Sequence, residues 1–358
     1  EGCAMQENIK KLRQLTGAKP RANLGFYPTP FYKLERLSGQ LGVELYIKRD
    51  DFSGMSLFGG NKVRKLEYLM GDALAQGSET VVTYGATQSN HAMQTATACR
   101  RLGLHPVLFL NAYVTPDEND IRANMLLDRI LGAEMHVIQN EPGETDQQTE
   151  QRCFQTGKEH VQRLRDAGHK CYDVPMGGSS HVGAAGFADG YGELMEQCVQ
   201  ANVRPQYIFC ATGSGGTQAG LVAGHHLVGD AAQIVGVAVS RKKPDEYEAY
   251  CADLANRALE WLGSDERVSA ADFTVDRGYY LPGYEQPSEA ASDAIRLLAR
   301  TEGLMMDPVY TGKAFAGLLD WIKQGKIKPG STVVFWHTGG ATALFSEQEI
   351  VGSVSREG

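Results

Sequence analysis

The chain has no surplus of basic residues. Its 358 residues include 35 Lys and Arg against 43 Asp and Glu, a formal net charge of -8, so the electrostatic footprint of a nucleic-acid binder is missing and no such partner is expected. No uninterrupted apolar run approaches the roughly 18 to 20 residues that cross a bilayer, and the first residues, Glu1-Gly2-Cys3, show no basic-then-apolar signal pattern. No membrane partner is expected either. The seven cysteines, at positions 3, 99, 153, 171, 198, 210 and 251, form no CxxC pair and are odd in number, which fits a reducing cytoplasm better than a disulfide framework. No metal centre is expected. No repeat of solenoid length and no low-complexity tract occurs.

What the chain does have is an ordinary globular balance, 42% hydrophobic and 22% charged, with 41 glycines. Its length favours two lobes. From about residue 80, short apolar runs alternate with helical patterns, the signature of parallel sheets flanked by helices. Strands are expected at Val81–Tyr84, Pro106–Leu110 and Glu134–Ile138, with helices over Asn90–Leu102, Asp120–Leu131 and Asp146–Ala167. After the glycine-rich stretch 177–180 a second series follows. It comprises a helix through Tyr191 to Gln200, strands at Tyr207–Cys210, Ile234–Val239 and Thr332–Trp336, and a helix from Ala219 to Val228. Two α/β lobes with a site between them are expected.

Four segments carry chemistry. Gly59-Gly60-Asn61-Lys62, followed by the helix-like Val63–Leu69, places a lysine where a loop enters a helix. Such an amine becomes a nucleophile only where burial or pairing populates its free form. The stretch Thr212-Gly213-Ser214-Gly215-Gly216-Thr217 lies between an apolar strand and a helix. There glycine N–H groups, hydroxyls and the helix dipole converge as in a phosphate cradle. It lacks the lysine of a nucleotide P-loop. Gln88-Ser89-Asn90-His91 again joins a strand to a helix, where Ser and Asn also serve as N-caps. Asp307-Pro308-Val309-Tyr310-Thr311 reads as a polar, aromatic turn before a helix that starts near Ala314.

In this order the segments resemble the fold-type-II pyridoxal-phosphate enzymes, and within them the branch of aminocyclopropanecarboxylate deaminase and D-cysteine desulfhydrase. The resemblance runs from Pro28-Thr29-Pro30 and Lys48-Arg49-Asp50-Asp51 to His337-Thr338-Gly339-Gly340. It implies a two-domain, tryptophan-synthase-β-like α/β fold with open, twisted, mostly parallel sheets. The large domain would hold residues 1–66 and 178–358, and the small domain residues 67–177. It implies pyridoxal 5'-phosphate as cofactor, a small amino acid as substrate, and a homodimer.

Carried over by position, the resemblance makes Lys62 the Schiff-base lysine and Thr212, Gly213, Ser214, Gly215, Gly216 and Thr217 the phosphate loop. Asn90 would lie near the ring oxygen, with Gln88, Ser89, Asn90 and His91 near the substrate carboxylate. Tyr284 and Tyr310 would be the catalytic tyrosines, and which of them moves a proton is left open. Where many relatives carry Val-Arg after the Ser-Asn-His triplet, this chain has Ala92-Met93. Deaminases of the branch place Glu and Leu where this chain has Thr311 and Thr338, so the resemblance points to β-elimination from D-cysteine. It leaves another β-substituted amino acid such as cysteate, aminocyclopropanecarboxylate, or a non-catalytic carrier of the cofactor as alternatives. Thr311 would face the ring nitrogen, and Thr338 the substrate.

Overall fold

A computed structural model describes residues 2–56, 59–113 and 121–345. Its helices are α1 (Gly2–Gly17), α2 (Glu35–Leu41), α3 (Lys62–Ala75), α4 (Asn90–Leu102), α5 (Asn124–Ile130), α6 (Asp146–Asp166), α7 (His181–Ala201), α8 (Gly216–Val228), α9 (Glu246–Trp261), α10 (Glu289–Glu302) and α11 (Thr311–Lys323). The strands are β1 (Phe31–Lys33), β2 (Glu44–Arg49), β3 (Thr80–Ala86), β4 (His105–Ala112), β5 (Glu134–Gln139), β6 (Cys171–Asp173), β7 (Tyr207–Thr212), β8 (Gln233–Ala238), β9 (Thr274–Asp276) and β10 (Thr332–His337).

Two sheets result. The first has the order β1-β2-β10-β7-β8-β9 and is parallel except for edge strand β1; the second, β5-β4-β3-β6, is parallel throughout. Parallel sheets need cover on both faces, and the near-continuous burial of β3, β4, β7 and β10 follows from it. One face of the first sheet packs Ile208, Val334 and Trp336 against α1, α7, α8 and α9. The other packs Phe209, Val237 and Phe335 against α2, α10 and α11. No helix among the described residues is long and apolar enough to cross a membrane.

The expected strands and crossovers from residue 80 onward are present, and the helix expected over Asn90–Leu102 has those bounds. Three elements differ from expectation. Residue 120, the expected start of the helix to Leu131, lies outside the described residues, and α5 runs only over Asn124–Ile130. Helix α7 begins at His181, ten residues before Tyr191, because its glycines mark close packing: a Cβ on Gly186 would sit 2.2 Å from the carbonyl oxygen of Arg64 in α3. Helix α11 begins at Thr311, since the Asp307 carboxylate accepts from the N–H groups of Val309, Tyr310 and Thr311 and caps it there.

Between α3, α7 and β2 lies a buried ionic cluster. Arg64 holds Asp50 through two nitrogens, at 2.7 and 2.9 Å, and Glu193 at 2.7 Å; Lys48 also meets Glu193. Trp336 and Thr29 donate to Asp50 at 2.9 and 2.8 Å. The motifs Pro28-Thr29-Pro30 and Lys48-Arg49-Asp50-Asp51 thus contribute to the scaffold behind α3. They hold α3 through Arg64, and Lys62 is the first residue of that helix.

Candidate active site

The loops after β3, β7, β8 and β10 leave the carboxyl ends of parallel strands and line one open cleft of about 1570 Å³. That is where ligands bind in open α/β sheets. Lys62, Gln88, Ser89, Asn90, His91, Thr212, Gly213, Ser214, Gly215, Thr217, Tyr284, Tyr310 and Thr338 all line it. Gly216 and Thr311 do not.

Lys62 Nζ donates to the Gly177 carbonyl at 3.1 Å, and Lys65, one turn on, donates to the same oxygen at 3.2 Å. Burial lowers the pKa of Lys62 to about 8, against the opposing contact with Lys65. Burial, with Lys62 beside it, pushes Lys65 well below the ordinary lysine range. Among the described residues no carboxylate pairs with either ammonium. Lys65 Nζ lies 3.1 Å from where a Cβ on Gly216 would be, so it stands against the glycine loop. Two neighbouring lysine amines beside a helix N-terminus fit an anion, whose charge would offset the burial that disfavours their protonated forms.

The loop is built to keep its backbone open. Gly215 has φ +93°, and a Cβ there would lie 3.0 Å from Cys251 Sγ. Ser179 Oγ accepts from the Gly216 N–H at 3.2 Å and donates to Ser214 Oγ at 2.7 Å. Asn61 donates to Thr217 Oγ1 at 3.0 Å, which ties the lysine turn to α8. Thr212 is engaged elsewhere: its hydroxyl meets Tyr247 Oη at 2.7 Å, and Tyr247 in turn donates to the Gly213 carbonyl at 2.9 Å.

His91 is buried and neutral, its pKa held well below the usual value by burial first and by Lys62 and Lys65 next. Thr83 donates to the Val174 carbonyl at 3.0 Å and accepts from His91 Nε2 at 2.8 Å. His91 Nδ1 is thereby left as a buried acceptor with no partner. Ser89 caps α4, its Oγ accepting from the Ala92 N–H at 3.1 Å. Asn90 Oδ1 accepts from Asn124 at 2.7 Å. Gln88 is occupied at both ends of its amide, accepting from the Asn124 N–H at 2.9 Å and donating to the Arg122 carbonyl at 3.1 Å. It positions the 122–124 segment.

Tyr284 and Tyr310 share a hydrogen bond between their hydroxyls, with rings T-shaped at 5.9 Å. Burial raises both pKa values above the tyrosine range, so both are protonated at neutral pH. Lys313 donates to the carbonyls of Tyr280 and Gly283 at 3.1 and 2.8 Å and so holds the turn that carries Tyr284.

The expectation that Thr311 faces a ring nitrogen meets a different arrangement. Its side chain is fully buried, donates to Asp307 Oδ1 at 2.6 Å and accepts from the Asp307 N–H at 2.9 Å. Its single hydroxyl proton is taken by the helix cap. Thr338 is the member of that threonine pair that lines the cleft.

A model of the family described as pyridoxal-phosphate dependent enzyme matches residues 22–339. The chain belongs to that family. The D-cysteine desulfhydrase of Serratia proteamaculans is 42% identical over 340 residues, 94% of this chain and 98% of its own length. That of Klebsiella pneumoniae is 40% identical, over 91% and 96%. A putative 1-aminocyclopropane-1-carboxylate deaminase of Pyrococcus abyssi is 38% identical, over 94% and 96%. Among solved structures, an ACC deaminase homologue superposes with a TM-score of 0.84 at 35% identity, over 96% of this chain and 98% of its own. Escherichia coli diaminopropionate ammonia lyase, at 17% identity and TM-score 0.62, shares the fold.

The residues present fit the family's cofactor. Lys62 offers an amine with an accessible free form, the glycine loop with Ser179 and Lys65 offers an anion cradle, and His91 Nδ1 offers an unpartnered acceptor. Gly215→Asp adds a carboxylate to that cradle, and at φ +93° beside Cys251 it also strains the turn. We expect it to weaken cofactor retention at least ~10-fold and to lower stability. Thr217→Val, which removes one hydroxyl without backbone strain, is expected to weaken retention with a smaller loss of stability, that of the hydrogen bond from Asn61. Dialysis followed by cofactor absorbance measures both. Retention equal to wild type in both variants would make the loop a structural turn only.

Proposed function

We propose that the protein catalyses β-elimination from D-cysteine, yielding pyruvate, ammonia and hydrogen sulfide. One observation carries the reading: an amine with a pKa near 8, Lys62, and a hydrogen-bonded pair of protonated tyrosines line the same cleft, so a base and an acid are both available to one small substrate. The identity to D-cysteine desulfhydrases over nearly the whole chain supports it.

Lys62, the 213–217 loop, Ser179 and Lys65 would hold pyridoxal phosphate, which would supply an electron sink for charge at the substrate Cα. Lys62, once freed, takes the α proton through its neutral amine. Ser89 and Asn90 hold the substrate carboxylate. The Tyr284–Tyr310 pair donates a hydrogen bond to the departing sulfur, and Thr338 supplies a small polar wall there. His91 is neutral and orients by accepting a hydrogen bond. The strand division, with β3 to β6 all between residues 80 and 173, supports a small domain of 67–177 against a large domain of 1–66 and 178–358. We also infer a cytoplasmic homodimer. Seven free cysteines support the compartment, and exposed Phe26 and Phe52, joined through the Phe26 N–H to Ser53 carbonyl bond, support an apolar contact. Sedimentation velocity giving a monomer would remove the dimer.

A second reading, elimination of sulfite from cysteate, is favoured by Lys242, a partly buried cation in the same cleft. A panel of D- and L-cysteine, D- and L-cysteate and aminocyclopropanecarboxylate, assayed for pyruvate, separates the readings. D-cysteine is expected to give the highest kcat/KM by at least ~10-fold. Thr338→Leu is expected to lower D-cysteine turnover. Thr311→Glu is expected mainly to destabilise, because it sets a second carboxylate against buried Asp307. Ring opening by the unaltered protein at a rate matching thiol elimination would overturn the proposal, as would a preference for cysteate.

A further inference from the structure

On the second sheet, outside the cleft lining, Glu134 and His136 stand two residues apart on edge strand β5 and project from one face. His160 on α6 packs over that face. Ligand atoms of Glu134, His136 and His160 lie within 4.8 Å of one another. The two Glu134 oxygens meet His136 Nε2 at 2.8 Å and His105 Nε2 at 2.9 Å. The His136 ring stacks on Phe109 at 4.6 Å, and His160 lies 5.3 Å from His136 and 5.4 Å from Phe109. The rings are thus fixed by a packed aromatic, with a nitrogen of each within 4.8 Å of the Glu134 carboxylate.

We propose that Glu134, His136 and His160 form a binding site for a divalent transition-metal ion of the zinc class. Two imidazoles and one carboxylate match the preference of zinc, nickel and cobalt and suit calcium and magnesium poorly. Three protein ligands leave a position open to water. His105, on the second Glu134 oxygen, orients the carboxylate from outside the ligand set. Glu134 and His136 side chains are 40% and 38% exposed, which leaves the ion a path from solvent. The bound ion would clasp edge strand β5 to α6.

The test is titration of the chelator-treated, cofactor-loaded protein with Zn²⁺ and with Co²⁺, in a Cys3→Ser background because Cys3 is the exposed thiol. One Zn²⁺ per chain is expected, with Co²⁺ giving visible d–d absorption and Zn²⁺ raising the unfolding temperature. His136→Ala and His160→Ala should each weaken binding by at least ~100-fold. Glu134→Gln, which keeps the shape, should weaken it too, so the result stands even where an alanine variant folds poorly. Variants that bind one Zn²⁺ with unchanged affinity would overturn the proposal. So would a parent protein that shows no saturable binding, since the cluster would then be aromatic packing alone.

Discussion

Lys62→Ala is expected to lower pyruvate formation by about 10⁴-fold and to abolish the visible absorbance of the protein-bound cofactor. The size follows from two roles lost at once, covalent attachment and proton transfer at the substrate Cα. Lys65 is the nearest amine, yet it cannot substitute. It is almost wholly buried, shares the Gly177 carbonyl, and stands against the glycine loop, where it faces an anion. The amine itself gives a second reading of the same assignment. Because burial sets the Lys62 pKa at about 8, the ammonium dominates below that value and has no lone pair. Reattachment of cofactor to the stripped wild-type protein should therefore accelerate about tenfold per pH unit up to about pH 8 and level off above it. Stopped-flow absorbance measures the rate. Borohydride reduction that fixes the cofactor on another lysine, or a Lys62→Ala protein that keeps its colour, would refute the assignment.

How much of this was legible in the sequence depended on whether a residue's role is local. The strands from Val81 onward and the helix at Asn90 were readable because apolar runs, caps and glycine turns are local signals. Strand β2 was not, because Lys48 and Arg49 look like solvent-facing charge, and only the distant Glu193 makes Lys48 a buried residue. Helix α7 was half hidden, since four glycines that allow close helix packing weaken the helical pattern of its first half. The short strands β6 and β9 have three residues each and carry too little pattern to be seen.

The site divides the same way. Lys62, the glycine loop and the Ser89-Asn90-His91 turn were visible because loop-to-helix junctions have sequence signatures. Ser179, Lys65 and Asn124 were missed, although Lys65 lies one helical turn beyond Lys62 and that i, i+3 spacing was a usable signal. Thr311 was assigned by resemblance to the cofactor ring, and nothing in the sequence showed that Asp307 four residues earlier claims its hydroxyl. Gln88 was assigned to the substrate, whereas contacts with residues 122 and 124 occupy its amide.

The largest stability effect is expected at Arg64, two residues beyond Lys62. Its guanidinium is buried and holds both Asp50 and Glu193, with Lys48 as the second cation. Arg64→Met removes one of two positive charges facing two negative ones, and breaking such a buried network costs about 3–5 kcal/mol. The orphaned carboxylates are the cause, so the loss should not be additive. Glu193→Gln in the Arg64→Met protein should recover part of it, although Glu193→Gln alone is destabilising. Acid behaviour gives an independent sign. Burial acts to raise the Glu193 pKa, but Arg64 and Lys48 overcome it and hold the carboxyl at about 2. A folded value below the ordinary 4.5 means that this stability is complete above that pH and is lost as pH falls toward 2. The wild type should therefore lose stability through that window. In Arg64→Met the drop should shrink or reverse, because burial then acts on Glu193 with less opposition. Urea unfolding at pH 7 and pH 3 on the four proteins of the cycle measures both effects. Additive losses, or an acid profile that Arg64→Met leaves unchanged, would show that Asp50 and Glu193 do not depend on this guanidinium.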